Sequence, residues 1–327
     1  MPRVLVTPHL LRNVPGNYLD ILVRGGFDVV YPPDHCDTLP LENITRLLPG
    51  MDAMLASTEP LGRDLLAKSQ LRVIARMGVG YDAIDIPAAT DLKIAVTITP
   101  GTLEESVAEH TLALMLGVSR DLCRRDREVR VGIWNRVPFP RMAGRTFGLV
   151  GLGRIGRAVV PKVQGLGMKV IAHDPFADRE YAAKHHVSLV SLAELFQQAD
   201  VVSLHAPSTN DTNAMINAES LRQMKRGAIL INTSRGALVD EAALAAALQA
   251  DHLLGAALDV FRQEPLSLES PLLACENALL CTHMGGLDCE STDAASSLAA
   301  QCIVDLYHNH WPEGYVVNRE LRADWKW

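Results

Sequence analysis

The stretch Phe147-Gly148-Leu149-Val150-Gly151-Leu152-Gly153-Arg154-Ile155-Gly156-Arg157 decides the reading of this chain. A short, mostly apolar run suited to a buried strand leads straight into glycines spaced G-x-G-x-x-G, and a helical pattern opens at Arg157. Glycine is common in turns, so the spacing alone is weak; between a strand and a helix it is strong. Gly151 permits a tight turn, Gly153 lets backbone approach a pyrophosphate, and Gly156 lets helix and strand pack closely. The helix N-terminus, with Arg154 and Ile155 at its approach, adds free N–H groups and partial positive charge for phosphates. The next strand, Lys169–His173, ends at Asp174-Pro175, and Asp174 lies 23 residues beyond Gly151. That is close to the ~20 at which an acid meets the nucleotide ribose. A carboxylate there accepts from ribose hydroxyls and repels a 2′-phosphate, so NAD is expected over NADP. Pro161 is irregular: proline suits a helix's first turn, so this helix is expected to kink or to start later.

Outward from here the strand–helix alternation continues both ways. Upstream, apolar runs at Val4–Thr7, Asp28–Tyr31, Ala53–Ala56, Val73–Ala75 and Ile94–Thr97 alternate with helix-like stretches around Tyr18–Arg24, Leu41–Leu48, Arg63–Lys68 and Asp85–Thr90. Downstream come Val187–Leu189, Val201–Leu204, Ala228–Ile231, Gly255–Val260 and Leu279–Thr282. Helices such as Leu192–Gln198 and Glu241–Gln249 separate them, the latter opened by Asp240 as N-cap. This alternation implies parallel sheets covered by helices on both faces. Pro100-Gly101 reads as a hinge, Leu103–Val118 is apolar on nearly all sides and is expected to be buried, and a helix from about Ser291 to Tyr307 crosses back to the first domain. The expected fold class is α/β, with two doubly wound parallel-sheet domains. A Rossmann NAD-binding domain (100–285) is inserted in a flavodoxin-like substrate domain (1–99 and 286–327).

Composition narrows the function. The 327 residues are 48% hydrophobic and 21% charged, the balance of a globular chain, and net charge is −7. A negative balance argues against nucleic-acid or acidic-membrane binding, which need concentrated Lys and Arg. Arg124, Arg125, Arg127 and Arg130 alternate with Asp126 and Glu128 and read as a solvated helix face. Six cysteines form no C-x-x-C pair and no zinc-like spacing, so reduced thiols of a cytoplasmic protein and no metal site are expected. His185-His186 lacks further ligands nearby in sequence, and His110, His173 and His205 read as structural or surface. The N-terminus is too short an apolar run for a signal peptide, and no stretch reaches the ~20 apolar residues of a membrane span.

Three more motifs fall at the C-terminal ends of expected strands, where open α/β sheets place ligands. They are Asn232-Thr233-Ser234-Arg235-Gly236, Asp259-Val260-Phe261-Arg262-Gln263-Glu264-Pro265 and Thr282-His283-Met284-Gly285-Gly286. Singly, Arg235 reads as a surface ion pair, Glu264-Pro265 as a turn and His283 as structural. Jointly they follow a dinucleotide fingerprint, in company with Arg76-Met77-Gly78-Val79-Gly80-Tyr81-Asp82-Ala83-Ile84-Asp85, Val107-Ala108-Glu109 and His205-Ala206-Pro207. On these residues the chain resembles the D-isomer-specific 2-hydroxyacid dehydrogenase family over essentially its whole length. Ser57-Thr58-Glu59-Pro60 and the Gly-Val-Gly loop look most like its phosphoglycerate-dehydrogenase branch.

The resemblance implies NAD-dependent hydride transfer between a small 2-oxo acid and its D-2-hydroxy acid. His283 would be the proton donor, Glu264 the carboxylate that orients it, and Arg235 the fork holding the substrate carboxylate, helped by backbone N–H groups of Val79 and Gly80. It further implies cofactor contacts from Thr233, Ser234, Arg235, Asp259, His283 and Gly285, from Ala206, Pro207 and Thr212, and from Val79. Val79, Ala206 and Pro207 also read as loop residues that only give shape. A homodimer through the nucleotide domain is implied, with the arm around Trp134–Pro140 reaching across. Arg76, Arg136 and Arg141 are candidate cations for a phosphorylated substrate, and no regulatory C-terminal module is expected. Met77 and Arg141 depart from the family's usual pattern. Alternatives are an NAD(H)-sensing co-repressor-like binding protein, a phosphite dehydrogenase and a formate dehydrogenase; Glu264 argues against the last.

Overall fold

Val4-Leu5-Val6, Ala53–Ala56 and Val73–Ala75 carry no charge, as strands covered on both faces require. The computed structural model describes every residue from Met1 to Trp327 and divides into two compact units, Met1–Leu103 with Leu287–Trp327, and Glu104–Gly286. In the first, strands β1 (Arg3–Val6), β2 (Asp28–Val30), β3 (Ala53–Ala56), β4 (Val73–Arg76) and β5 (Ala95–Thr97) are all parallel, in the order β2-β1-β3-β4-β5. That is the flavodoxin-like order. The returning helix is Cys289–Tyr307, slightly longer than the pattern suggested because Asp288 caps it, accepting from Ser291 N–H at 2.6 Å. Its Ala295, Ala299, Ile303 and Leu306 are buried with Tyr18, Leu22 and Phe27 in the first unit's core.

The second unit holds β6 (Thr146–Val150), β7 (Lys169–His173), β8 (Ser188–Leu189), β9 (Val201–Leu204), β10 (Ala228–Asn232), β11 (Leu253–Leu258) and β12 (Ala278–Leu280). All are parallel, in the order β12-β11-β10-β9-β6-β7-β8. Renumbered within the unit this is the Rossmann order with one strand added, and the order reverses between β6 and β9. The helix Glu104–Ser119 packs on β10, β11 and the helix after the glycine turn. It is not buried all round as its composition suggested, since Leu116 is 37% exposed. The Arg-rich stretch forms the helix Leu122–Arg130, which buries no residue and is laced by Arg125 to Asp121 and Glu128 and by Arg130 to Asp126.

The helix after the glycine turn starts at Arg154, earlier rather than later than Pro161 suggested, and runs to Gly165. Proline cannot donate to the carbonyl four residues back. That carbonyl, Arg157 O, instead accepts from the Tyr181 hydroxyl at 3.0 Å. The Arg157 guanidinium lies over the same ring, 4.6 Å from its centroid. Tyr181 thus supplies from outside the donor the helix lacks.

Candidate active site

Strand register builds the site. Across the second sheet His173 pairs with Val150, Val150 with Leu204, Leu204 with Asn232, Asn232 with Leu258 and Leu258 with Leu280. These six residues form one row at the carboxyl edge, and each is followed directly by a segment singled out above. Asp174, Gly151, His205-Ala206, Thr233, Asp259 and Cys281–His283 therefore emerge side by side.

The glycine turn has room where a dinucleotide needs it. Gly151 has φ +100°, and a side chain there would strike the His205 carbonyl at 2.7 Å. A Cβ on Gly156 would lie 2.5 Å from Gly151 O, whereas one on Gly153 would meet nothing within 4 Å. The close packing is thus confined to Gly151 and Gly156, and the face over Gly153, with Arg154 and Ile155 in the first helical turn, is open to a pyrophosphate. Asp174 accepts from Leu152 N–H with one oxygen and Phe176 N–H with the other, both at 2.8 Å. These bonds tie the acid to the turn and leave each oxygen a lone pair for a ribose hydroxyl. Pro175 beside it is exposed.

Thr212 donates to the Pro207 carbonyl at 2.7 Å, and Ser234 donates to Ala206 O at 2.5 Å, so the loops after β9 and β10 brace each other. Thr233 pairs its hydroxyl with that of Thr111 at 3.2 Å. His205, between these loops and the glycine turn, is half-buried; desolvation lowers its ring to about 4, and its Nε2 meets Ser203 Oγ at 2.8 Å.

Arg235 follows buried Asn232, which accepts from Ser234 N–H at 3.0 Å and donates to Arg235 O at 2.8 Å. A Cβ on Gly236 would overlap the Phe261 carbonyl carbon at 1.8 Å, so the Arg235 loop rests on the loop leading to Glu264. His283 Nδ1 lies 2.7 Å from Glu264 Oε2, while Glu264 Oε1 accepts from Phe261 N–H at 2.9 Å. Burial alone would raise the Glu264 carboxyl; the His283 and Phe261 hydrogen bonds and the nearby Arg235 charge outweigh it and hold the acid below its ordinary range. With Nδ1 engaged, Nε2 is the ring atom left to exchange a proton with a substrate oxygen.

His283 has φ +56°, a left-handed conformation uncommon for a side-chain-bearing residue. Asp259 holds it there. Its carbonyl accepts from His283 N–H at 2.8 Å, its Oδ1 from Met284 N–H at 2.9 Å and its Oδ2 from Gly285 N–H at 2.8 Å. The motif reading offered Asp259 only as a cofactor contact; in the fold its carboxylate is committed to the turn that aims His283. Sequence reasoning also passed over His110 and Cys281, which join Asp259 with donor atoms within 4.8 Å of one another. His110 Nε2 lies 3.2 Å from Asp259 Oδ1, an ion pair when the ring is charged. The Asp259 carboxylate, then Cys281, raise the His110 ring to about 9 against burial. No sequence spacing reveals this trio, because one member is on a helix and two follow adjacent strands.

Val79 and Gly80 lie in the first unit, in the loop after β4 that opens with Gly78 at φ +140°. The Arg76 guanidinium folds onto this loop and donates to the Met77 carbonyl.

Residues 112–285 match the NAD binding domain of the D-isomer specific 2-hydroxyacid dehydrogenases. A glyoxylate reductase of Korarchaeum cryptofilum is 39% identical over 271 residues, 81% of each chain. A D-3-phosphoglycerate dehydrogenase of Mycobacterium leprae is 38% identical over 86% of this chain, which spans 55% of that longer protein. The crystal structure of the TT0316 protein of Thermus thermophilus superposes with a TM-score of 0.86 at 37% identity, covering 96% of this chain and 100% of that one. No helix is long and apolar enough to cross a membrane. The chain belongs to the D-isomer specific 2-hydroxyacid dehydrogenase family and is an NAD-dependent oxidoreductase acting on a 2-hydroxy acid or its 2-oxo partner.

Proposed function

We propose that the protein reduces a small, unphosphorylated 2-oxo acid of the glyoxylate or hydroxypyruvate class. The 2.7 Å pairing of His283 with Glu264 carries this reading, because carbonyl reduction needs a proton for the forming alkoxide. His283 Nε2 delivers that proton, and the carboxylate on Nδ1 orients the ring. Arg235 presents a planar fork to the substrate carboxylate and carbonyl oxygen. Bound NADH supplies the hydride. Gly151, Gly153, Arg154, Ile155 and Gly156 hold the pyrophosphate, Asp174 and Pro175 the adenosine ribose, and Ala206, Pro207 and Thr212 flank it. Thr233, Ser234, Asp259 and Gly285 face the nicotinamide end. Preference for an unphosphorylated substrate is supported by Arg76, the candidate cation for a phosphate, whose guanidinium is folded onto the Met77 carbonyl.

The test is NADH oxidation with glyoxylate, pyruvate, hydroxypyruvate and 3-phosphohydroxypyruvate. Turnover is expected on the unphosphorylated acids. Turnover confined to the phosphorylated one would overturn the substrate class, and turnover on none would overturn the reaction.

The working form is a homodimer joined through the second unit. Val131 and Trp134 are 72% and 80% exposed, and Leu122, Val129, Ile133 and Val137 about half, an apolar stripe that a lone subunit would leave in water. A cavity of about 460 Å³ bordered by Phe139, Leu272 and Leu279 lies beside it. Sedimentation velocity should give a dimer, and Trp134→Asp with Val131→Asp a monomer. The reading places the enzyme in the cytoplasm, where its six free cysteines stay reduced.

A further inference from the structure

We propose that His110, Asp259 and Cys281 form a binding site for one soft divalent cation of the zinc class. Thiolate, imidazole and carboxylate are the donors zinc takes, commonly three from protein with a fourth position open. The three donor atoms lie within 4.8 Å of one another, and His110 Nε2 is 3.2 Å from Asp259 Oδ1. Bonds of about 2.0–2.1 Å set at the tetrahedral angle place neighbouring N and O donors roughly 3.3 Å apart, so that edge is already formed. Only the Cys281 sulfur has to close in. The Nε2 atom itself is buried.

The scaffold holds the donors. Leu258 and Leu280 pair across adjacent strands, so Asp259 and Cys281 leave the sheet as neighbours. His110 comes from the 16-residue helix packed on those strands. Asp259 is oriented by Met284 and Gly285 N–H groups, the kind of outer support that tunes a metal ligand. A His110–Asp259 ion pair uses two of these donors; a cation uses all three. Because the same carboxylate orders the turn carrying His283, occupancy inhibits: the ion draws Asp259 toward itself and shifts that turn.

The experiment uses cobalt(II) as a spectroscopic probe and zinc(II) as inhibitor on the full-length, chelator-treated protein. Cobalt titration of the wild type should give a near-ultraviolet thiolate-to-cobalt band saturating at one equivalent. Cys281→Ser should lose that band, keep its metal-free turnover and unfolding midpoint, and be inhibited by zinc at least tenfold more weakly. Cys289→Ser, an exposed thiol close by in sequence, should retain both responses. A wild type without the band, or a Cys281→Ser variant that keeps the band or the inhibition, overturns the site. The cobalt readout does not depend on which acid is the substrate, so its failure is distinguishable from failure of the proposed reaction.

Discussion

Asp259 receives three successive backbone N–H groups, those of His283, Met284 and Gly285, so the left-handed turn of His283 is built on this one residue. With His283 so aimed, its Nδ1 meets Glu264 Oε2. The functional consequences follow from how each group is held.

Glu264→Gln keeps the shape and removes the charge. The His283 and Phe261 hydrogen bonds and the Arg235 charge hold the Glu264 carboxyl below its ordinary range, so the group is a carboxylate. Reduction of the 2-oxo acid should fall roughly tenfold to a hundredfold, within the ~10²–10⁴ an acid–base group contributes. An acid held below its ordinary range stabilises the fold above that range, and the gain is lost as pH falls through the folded value. Glu264 is about one-third exposed, so the gain is small, about 1 kcal/mol or less. Steady-state kinetics with unchanged kcat in Glu264→Gln would remove Glu264 from its role.

Arg235→Ala should raise KM for the 2-oxo acid and cut kcat, together about 100-fold, as expected for lost charge-assisted hydrogen bonds. Arg235→Lys should recover little, because a point charge does not replace a planar fork. Steady-state kinetics with near-normal turnover in Arg235→Ala would contradict the anchor.

Asp174→Ala should raise KM for NADH about tenfold and move selectivity toward NADPH, since it removes both the ribose acceptor and the repulsion of a 2′-phosphate. It also strands the Leu152 and Phe176 N–H groups. Comparing kcat/KM for the two cofactors decides; an unaltered ratio would clear Asp174 of the selectivity role.

His205 makes a stability prediction. The folded ring stays neutral down to about 4, whereas an unfolded histidine titrates near ~6.5. Between those values the unfolded chain binds the extra proton, so stability falls as pH is lowered from about 6.5 to about 4, by on the order of 3 kcal/mol. Urea midpoints against pH should show this slope, and His205→Gln should flatten it. An equal slope in both proteins would place the acid sensitivity elsewhere.

Tyr181 and Pro161 should be coupled. Tyr181→Phe leaves the Arg157 carbonyl without its donor and should cost about 1 kcal/mol. In a Pro161→Ala background the helix supplies its own N–H, and the cost should shrink. Additive effects in this double-mutant cycle would deny the substitution of one donor for another.

Much of the site was legible because its chemistry is local. Gly151, Gly153 and Gly156 are required within one strand–turn–helix, and each motif carrying Arg235, Glu264 or His283 follows an apolar run short enough to be a strand. The helix start was misread at Pro161 because its compensation, Tyr181, lies 20 residues away on another helix. The all-round apolar pattern of Glu104–Ser119 likewise misled, since a composition cannot say which face meets a sheet and which, like Leu116, meets water.

Residue order alone therefore determined the βα alternation, the phosphate-binding turn and the family, because hydrophobic period and glycine spacing act over a few bonds. Register was decided only by folding. It brings His173, Val150, Leu204, Asn232, Leu258 and Leu280 into one row, sets Asp259 under the His283 turn and gathers His110 with Cys281. Those contacts join residues far apart in the chain, and only packing of strand on strand and helix on sheet selects them.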